Sequence, residues 1–337
     1  HDPRVLLVQR SPALRFFGGY WAFPGGAMEE ADRACGDLAS MSCALRELLE
    51  ETALGAAALG VDATRARAWL QEFTAATPPA GWRSALEKLA ASGRFNHVCR
   101  ITTPAHLPIR FATDFVQLHC EDEAPFQLDA AELVAGQYIA PREAVARWRR
   151  GELPIAPPTL LLLELMSELG CPAFRERASH IADGFEQGEF HPARFSPGIF
   201  TAPVPTPTLP PATTTNCYIV GEQQLFVIDP AAVDAEHQQK LIRKLDSLIA
   251  DGADLQAILL THAHLDHIGA LPALEPRLAD DCVIYGTAAT LDLARVMLED
   301  SLRSTSIFRQ GMGQIPLFAP GSVNAVRKRF RPVRWGQ

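Results

Sequence analysis

A single hydrophobic core rarely keeps growing past about 250–300 residues, so a chain of 337 residues predicts two domains. With 47% hydrophobic and 21% charged residues, the composition is that of a globular protein rather than a disordered or fibrous one. A net charge of -8 argues against holding nucleic acid by bulk electrostatics, although it leaves room for a local basic groove.

No apolar run reaches the roughly 18–20 residues of a membrane span; the longest, Thr159–Met166, is broken by Glu164. No signal or transit segment is evident at the start, and because the first residue is His1 rather than Met, a longer natural chain is expected. The 7 cysteines are scattered without a CxxC pair, which predicts idle or buried thiols in a reducing cytoplasm.

In chain order, the apolar run Val5–Val8 predicts a strand, and Phe16–Gly26, punctuated by Gly18, Gly19, Pro24, Gly25 and Gly26, a structured loop. Cys43–Thr52, Arg65–Phe73 and Trp82–Ala91 read as helices, and His97–Thr103 and Ala112–Cys120 as strands. Pro141–Arg150 and Pro158–Leu169 read as helices that open on proline, which suits a first helical turn. The Pro- and Thr-rich stretch Thr201–Thr215 blocks regular helix and predicts an extended entry segment. Beyond it come strands at Cys217–Val220 and Leu225–Ile228, a helix at Ala235–Ile249 and a buried strand at Ala257–Leu260. Strands alternating with helices predict α/β and α+β layers, divided as a domain over 1–175, a linker over 176–200 and a second domain over 201–337.

Glu47, Glu50 and Glu51 stand at i, i+3 and i+4, so one helix face carries all three. Three carboxylates there repel unless they are solvated or neutralised by a divalent cation, and oxygen ligands suit Mg²⁺ or Mn²⁺. A solvated acidic face is the competing reading. The loop Phe23-Pro24-Gly25-Gly26 precedes the helix and would let backbone approach a ligand closely, which makes Gly25 and Gly26 candidate binding residues.

Together, the glycine loop and Arg46-Glu47-Leu48-Leu49-Glu50-Glu51-Thr52-Ala53-Leu54 resemble the Nudix hydrolases. The resemblance implies that Glu47, Glu50 and Glu51 hold the metal and that Arg46 orients them, with Glu50, Glu47 and Arg46 as catalytic residues. Two departures stand out: Ala53 occupies the place of a glycine, and Leu38 that of a glutamate eight residues before the arginine. Leu6-Leu7-Val8-Gln9-Arg10-Ser11 resembles the coenzyme A diphosphatase branch, with further matches at Ile101–Pro104, Arg110–Thr113 and Pro157–Leu160. Glu29, Glu30 and Asp32 would either add charge near the metals or form a solvated loop.

The second constellation is Thr261-His262-Ala263-His264-Leu265-Asp266-His267, which follows the apolar run Ala257–Leu260. Imidazoles clustered at the end of a buried strand suit Zn²⁺, whose bound water becomes a nucleophile near neutral pH. The pattern resembles the metallo-β-lactamase superfamily. The resemblance implies that His262 and His264 hold one metal and that Asp266 and His267 hold a second, with Asp266 catalytic. Thr215–Gly221 and Val227–Pro230 match the opening hairpin of that fold, and Asp229 is there either a supporting residue or a turn residue before Pro230.

No histidine follows His267, whereas the family completes its sites with later ones, so a C-terminally incomplete αββα sandwich is expected. The stretches Tyr285–Ser301 and Pro316–Gly336 resemble β-CASP ribonucleases, while the hairpin looks more like the glyoxalase II branch; a truncated or chimeric chain would reconcile them. The basic run Arg327, Lys328, Arg329, Arg331 and Arg334 reads as a solvated tail, with phosphate binding as the alternative, and the remaining histidines, at 1, 97, 106, 119, 180, 191 and 237, as structural or solvated.

The expectation is therefore a metal-dependent hydrolase: a Nudix-like mixed sheet with flanking helices acting on a small-molecule diphosphate, joined to a zinc hydrolase-type module. The alternatives are a degenerate binding or scaffold protein, or an RNA-processing zinc nuclease. The sequence fixes no oligomeric state.

Overall fold

The computed structural model of the chain describes residues 3–73, 76–103, 110–120, 123–170, 173–187, 189–190, 194–206, 212–232, 234–311, 318–319 and 321–334. The chain divides after residue 187 into two compact units. His1, His106, Cys171, His191 and all of 104–109, 207–211 and 312–317 lie outside the described residues.

The first unit opens with β1 (Val5–Arg10) and the short β2 (Trp21–Ala22), followed by α1 (Glu30–Arg33) and α2 (Ala39–Thr52). Next come α3 (Ala63–Glu72), α4 (Trp82–Ala91), β3 (Phe95–Thr102), β4 (Ala112–Leu118) and β5 (Leu133–Ile139). The helices α5 (Pro141–Arg149), α6 (Pro157–Leu169) and α7 (Phe174–Glu186) complete it. Strand β1 lies between β2 and β5 in antiparallel register, and a parallel bridge from Trp21 to Ile155 makes the sheet mixed. Strands β3 and β4 form a separate antiparallel hairpin.

Helix α2 lays Leu45 and Leu49 into a core with Trp69, Trp82 and Leu86, so its opposite side is left for polar residues. Burying a leucine-sized side chain contributes about 1.5–3 kcal/mol, which anchors the helix whatever its charged face does. The expected linker over 176–200 needs correction, because residues 176–186 are the body of α7. Phe174, Ala178 and Ala182, spaced by four, pack against Val98, Ile101 and Leu162, and small alanines between charged residues hid that stripe in the sequence.

The second unit contains β6 (Ile199–Pro205), β7 (Thr214–Val220), β8 (Gln224–Ile228), α8 (Ala235–Ala250), β9 (Asp254–Leu259) and the one-turn helices α9 (Leu265–Ile268) and α10 (Leu271–Leu274). It ends with β10 (Val283–Thr287), α11 (Ala288–Gly311), α12 (Ser322–Lys328) and β11 (Phe330–Val333). One six-stranded sheet runs β11-β10-β9-β8-β7-β6, antiparallel among β6, β7 and β8 and parallel from β8 to β11.

Of the expected extended entry segment, 201–205 belong to β6 and 214–215 to β7, while 207–211 lie outside the described residues. Pro203 and Pro205 are tolerated in β6 because it is the sheet edge, where a missing N–H costs no ladder bond. On one face of the sheet Cys217, Ile219, Val227, Ile258 and Ile284 are fully buried beneath Leu241 and Leu245 of α8 and Leu291 of α11. The opposite face carries Phe226, Leu259 and Tyr285, each 37% exposed. Among the described residues α8 and α11 pack on the buried face of this sheet.

The basic run is not a solvated tail either. Arg327 pairs with Glu299 at 3.1 Å, and Arg329 donates to the carbonyls of Leu278 and Cys282.

Candidate metal centres

In the first unit Arg46, 2% exposed, organises the face of α2. Its Nη2 lies 2.9 Å from Asp32 Oδ2 and 3.1 Å from Glu47 Oε1, and its Nη1 donates to Glu50 Oε2 at 2.9 Å. It also donates to the Ala27 carbonyl at 2.9 Å. Asp32 is not part of a solvated loop. It is fully buried, accepts a hydrogen bond from Ser42 Oγ at 2.8 Å, and Ser42 in turn accepts from Trp82 Nε1 at 2.9 Å. A buried arginine needs a buried counter-charge, and Asp32 supplies it.

The glutamates differ in setting. Glu51 is buried and accepts from the Gly25 N–H at 2.8 Å, so the glycine loop closes directly onto the helix. A Cβ at Gly26 would meet the Glu47 carboxylate, so the glycine lets that side chain lie against the loop backbone. Glu50 is the most open, with a 40% exposed side chain. Burial pushes Glu47 up to about 7, against the pull of Arg46 and with Glu50 adding repulsion. Burial likewise pushes Glu51 up to about 7, opposed by the Gly25 N–H and Arg10, with Glu47 and Glu132 adding repulsion.

Glu132 was invisible in the sequence. The 127–132 loop is tied to the end of α2 by Gln127 N–H to Thr52 O and Asp129 N–H to Glu51 O, both 2.9 Å, a contact no local pattern announces. Carboxylates that burial and mutual repulsion hold protonated near neutrality form a donor set deficient in positive charge, which fits a hard divalent cation.

In the second unit, β9 delivers the histidine cluster to its end. The His262 ring centroid lies 3.8 Å from that of His267 and 5.0 Å from that of His264. The one group of three with donor atoms all within 4.8 Å of one another, among the described residues, is Asp229, His262 and His267. The expected pairs, His262 with His264 and Asp266 with His267, are therefore not the tightest grouping. The α2 glutamates form no such group; Arg46 instead pairs with Glu47 and Glu50.

Asp229, which has φ of 49°, supports the cluster. It accepts from Thr261 N at 2.8 Å and Thr261 Oγ1 at 2.5 Å, and its Oδ2 lies 2.9 Å from His267 Nδ1. With Nδ1 tied to a carboxylate, His267 turns Nε2 toward Asp266 Oδ2, 3.6 Å away. Asp266 accepts from Thr215 Oγ1 at 2.8 Å, and Thr215 lies 2.7 Å from Thr206 Oγ1, a buried hydroxyl relay that sequence reasoning missed. Burial and the neighbouring His267 hold His262 below the usual imidazole range, in the neutral form a metal requires.

Residues 1–84 match the profile of the NUDIX domain and residues 210–283 that of the Metallo-beta-lactamase superfamily. Among curated proteins, the chain is 27% identical over 173 residues to "Putative nudix hydrolase 7" of Caenorhabditis elegans, covering 49% of this chain and 56% of that protein. It is 37% identical over 87 residues to Ribonuclease TTHA0252 of Thermus thermophilus, covering 26% and 18%. To the Transcription termination factor FttA of Pyrococcus horikoshii it is 37% identical over 83 residues, covering 25% and 12%. The chain thus spans little more than half of the first of these relatives and a small part of the others. Among solved structures it is similar to a NUDIX hydrolase from Alicyclobacillus acidocaldarius, with TM-score 0.38 and 25% identity over 53% of this chain and 90% of that one. It is also similar to the DIM-1 metallo-beta-lactamase, with TM-score 0.25 and 15% identity over 38% and 49%. The N-terminal part of the chain is thus similar to the NUDIX domain and the C-terminal part to the Metallo-beta-lactamase superfamily.

Proposed function

We propose that this chain is a hydrolase whose first unit cleaves a diphosphate linkage in a small molecule, a nucleoside diphosphate or coenzyme A derivative, with Mg²⁺ or Mn²⁺. The observation that carries this reading is the face of α2, where Glu47 and Glu51 are lifted to about 7 beside the Gly25–Gly26 backbone. A divalent cation held by Glu47, Glu50 and Glu51 would supply positive charge to a diphosphate and acidify a water. The chain's own residues do the positioning. Arg46 fixes Glu47 and Glu50 in one orientation, Asp32 holds Arg46, and the Gly25 N–H fixes Glu51.

Glu50→Gln keeps the shape and removes one charge. Turnover of a nucleotide and coenzyme A panel with Mg²⁺ or Mn²⁺ should fall by orders of magnitude, each factor of ten being about 1.4 kcal/mol. Wild-type turnover by the variant would return the glutamates to an ordinary acidic face.

For the second unit we propose a zinc hydrolase-type module with an incomplete site. Paired as the resemblance implies, His262, His264, Asp266 and His267 give two ligands per metal, below the three typical of catalytic zinc, and in the group of Asp229, His262 and His267 the Asp229 carboxylate already bonds Thr261 and His267. This chain should therefore retain zinc weakly; two ions per chain surviving dialysis against a mild chelator would refute that. A second reading, RNA processing by this unit, is favoured by the similarity to a ribonuclease and to a transcription termination factor. Zinc-dependent cleavage of a labelled RNA that His262→Ala abolishes would establish it. Among the described residues no helix is long and apolar enough to cross a membrane, and from the scattered free thiols we propose a cytoplasmic protein.

A further inference from the structure

Helix α11 is apolar on two sides. Leu291, Ala294 and Leu298 face the core of the second unit and are at most 5% exposed. Leu293, Val296 and Met297, spaced by three and four, lie on the other side at 59%, 56% and 36% exposure. Ala289, also exposed, continues this second stripe by one turn. One stripe is enough to seat a helix on a core, so the second is apolar surface that folding of the unit does not use.

Charged residues bracket the exposed stripe. Asp292 stands at its start and Arg303 beyond its end, both exposed. Their separation is close to three full turns, so they lie along one side of the helix, about 16 Å apart on its axis. No hydrogen bond or ion pair joins either of them to another described residue. In a two-fold antiparallel pair of such helices, Asp292 of one copy stands opposite Arg303 of the other, and the reverse, so the apolar stretch has an ion pair at each end. The same register sets Asp300 of one copy level with Arg295 of the other and brings the two Val296 and the two Met297 side chains together at its centre. A two-fold parallel pair would instead set Asp292 against Asp292 and Arg303 against Arg303, and like charges held together repel.

We infer that the exposed face of α11 is a self-association surface: a second copy of this chain lays its own α11 antiparallel along Leu293, Val296 and Met297, with Asp292 and Arg303 pairing across both ends. The charge order identifies the partner, because this one stripe carries both halves of each ion pair at places symmetric about its own centre. Burial of the apolar side chains supplies most of the attraction. The exposed ion pairs set the direction and register of the helices. Two helices side by side bury less than a standard interface, so the dimer is a reversible one.

Sedimentation velocity of the full chain from about 1 to about 200 µM tests this. The wild type should pass from monomer to dimer over that range. Val296→Glu sets two carboxylates against each other at the centre and should weaken the dimer at least about tenfold, with the melting temperature of the dilute monomer unchanged because the position is exposed. Arg303→Asp should weaken it roughly five- to tenfold, and adding Asp292→Arg to that variant should restore the wild-type association, since the double variant carries the same pairs reversed.

A wild type that stays monomeric throughout the range overturns the proposal and leaves the stripe to a different partner. A dimer that survives Val296→Glu also overturns it, because its interface then lies on another surface. So does a double variant no tighter than Arg303→Asp alone, because the helices then do not meet antiparallel in this register.

Discussion

Ala53 ends α2 with φ of 57°, accepting a left-handed conformation at the position where the resembled family has glycine. That conformation costs an L-residue roughly 1–2 kcal/mol, and glycine would escape it at some entropic cost in the unfolded chain. Ala53→Gly should therefore stabilise the first unit by about 0.5–1 kcal/mol, read as a higher urea midpoint with an unchanged slope; a lower midpoint would mean that the Ala53 methyl makes a contact worth more than the strain. The departure that looked damaging in the sequence is thus one of strain rather than of lost chemistry. Leu38, the other departure, caps the start of α2 and is partly packed against the Leu45–Trp82 core, so no carboxylate comes from that position. Asp32 sits instead behind Arg46, fully buried.

At the scale of elements, α2 was legible because its chemistry and its period coincide: Arg46, Glu47, Glu50 and Glu51 share one side and Leu45 and Leu49 the other. Strand β5 and helix α7 were not legible, β5 because Gly136 and Gln137 interrupt its apolar run and α7 because its stripe is two alanines and one phenylalanine. The partners of α2, Asp32 and Glu132, arrive through tertiary contacts that no spacing encodes. Their consequence is a pH dependence. With the unfolded value near 4.3 and the folded values of Glu47 and Glu51 at about 7, the folded, metal-free protein binds protons that the unfolded chain has lost. Stability from these groups is therefore fully present below about pH 4.3 and falls as pH rises through about 7. A divalent cation selects the deprotonated form, so Mn²⁺ should raise the melting temperature more at pH 8 than at pH 6. Scanning calorimetry with EDTA or Mn²⁺ at both values decides this, and an Mn²⁺ effect that is equal at the two pH values would show that these carboxylates do not bind it.

At the scale of the whole molecule, each unit draws its core from its own stretch of chain. The second unit's core runs from Phe200 to Val326, while the three clusters of the first are built from residues between Leu7 and Ala182. Both motifs were readable because each lies within a short segment, 46–51 and 261–267, where the local geometry follows from one helix or one strand end. Asp229 was readable only as one of two alternatives, and the contacts of Glu132 and Thr215 were not readable, because they come from distant segments. Perturbations at sites that share no partners usually add. Glu50→Gln should thus abolish diphosphate turnover and leave the zinc content of the full chain as it is, whereas His262→Ala should lower zinc content and leave diphosphate turnover within about twofold, a change under about 0.5 kcal/mol. Turnover measured alongside zinc by atomic absorption, on the two variants and their double, separates the cases. If His262→Ala slowed diphosphate cleavage tenfold while the chain stayed folded, the second unit would be a working part of the first unit's reaction rather than an independent centre.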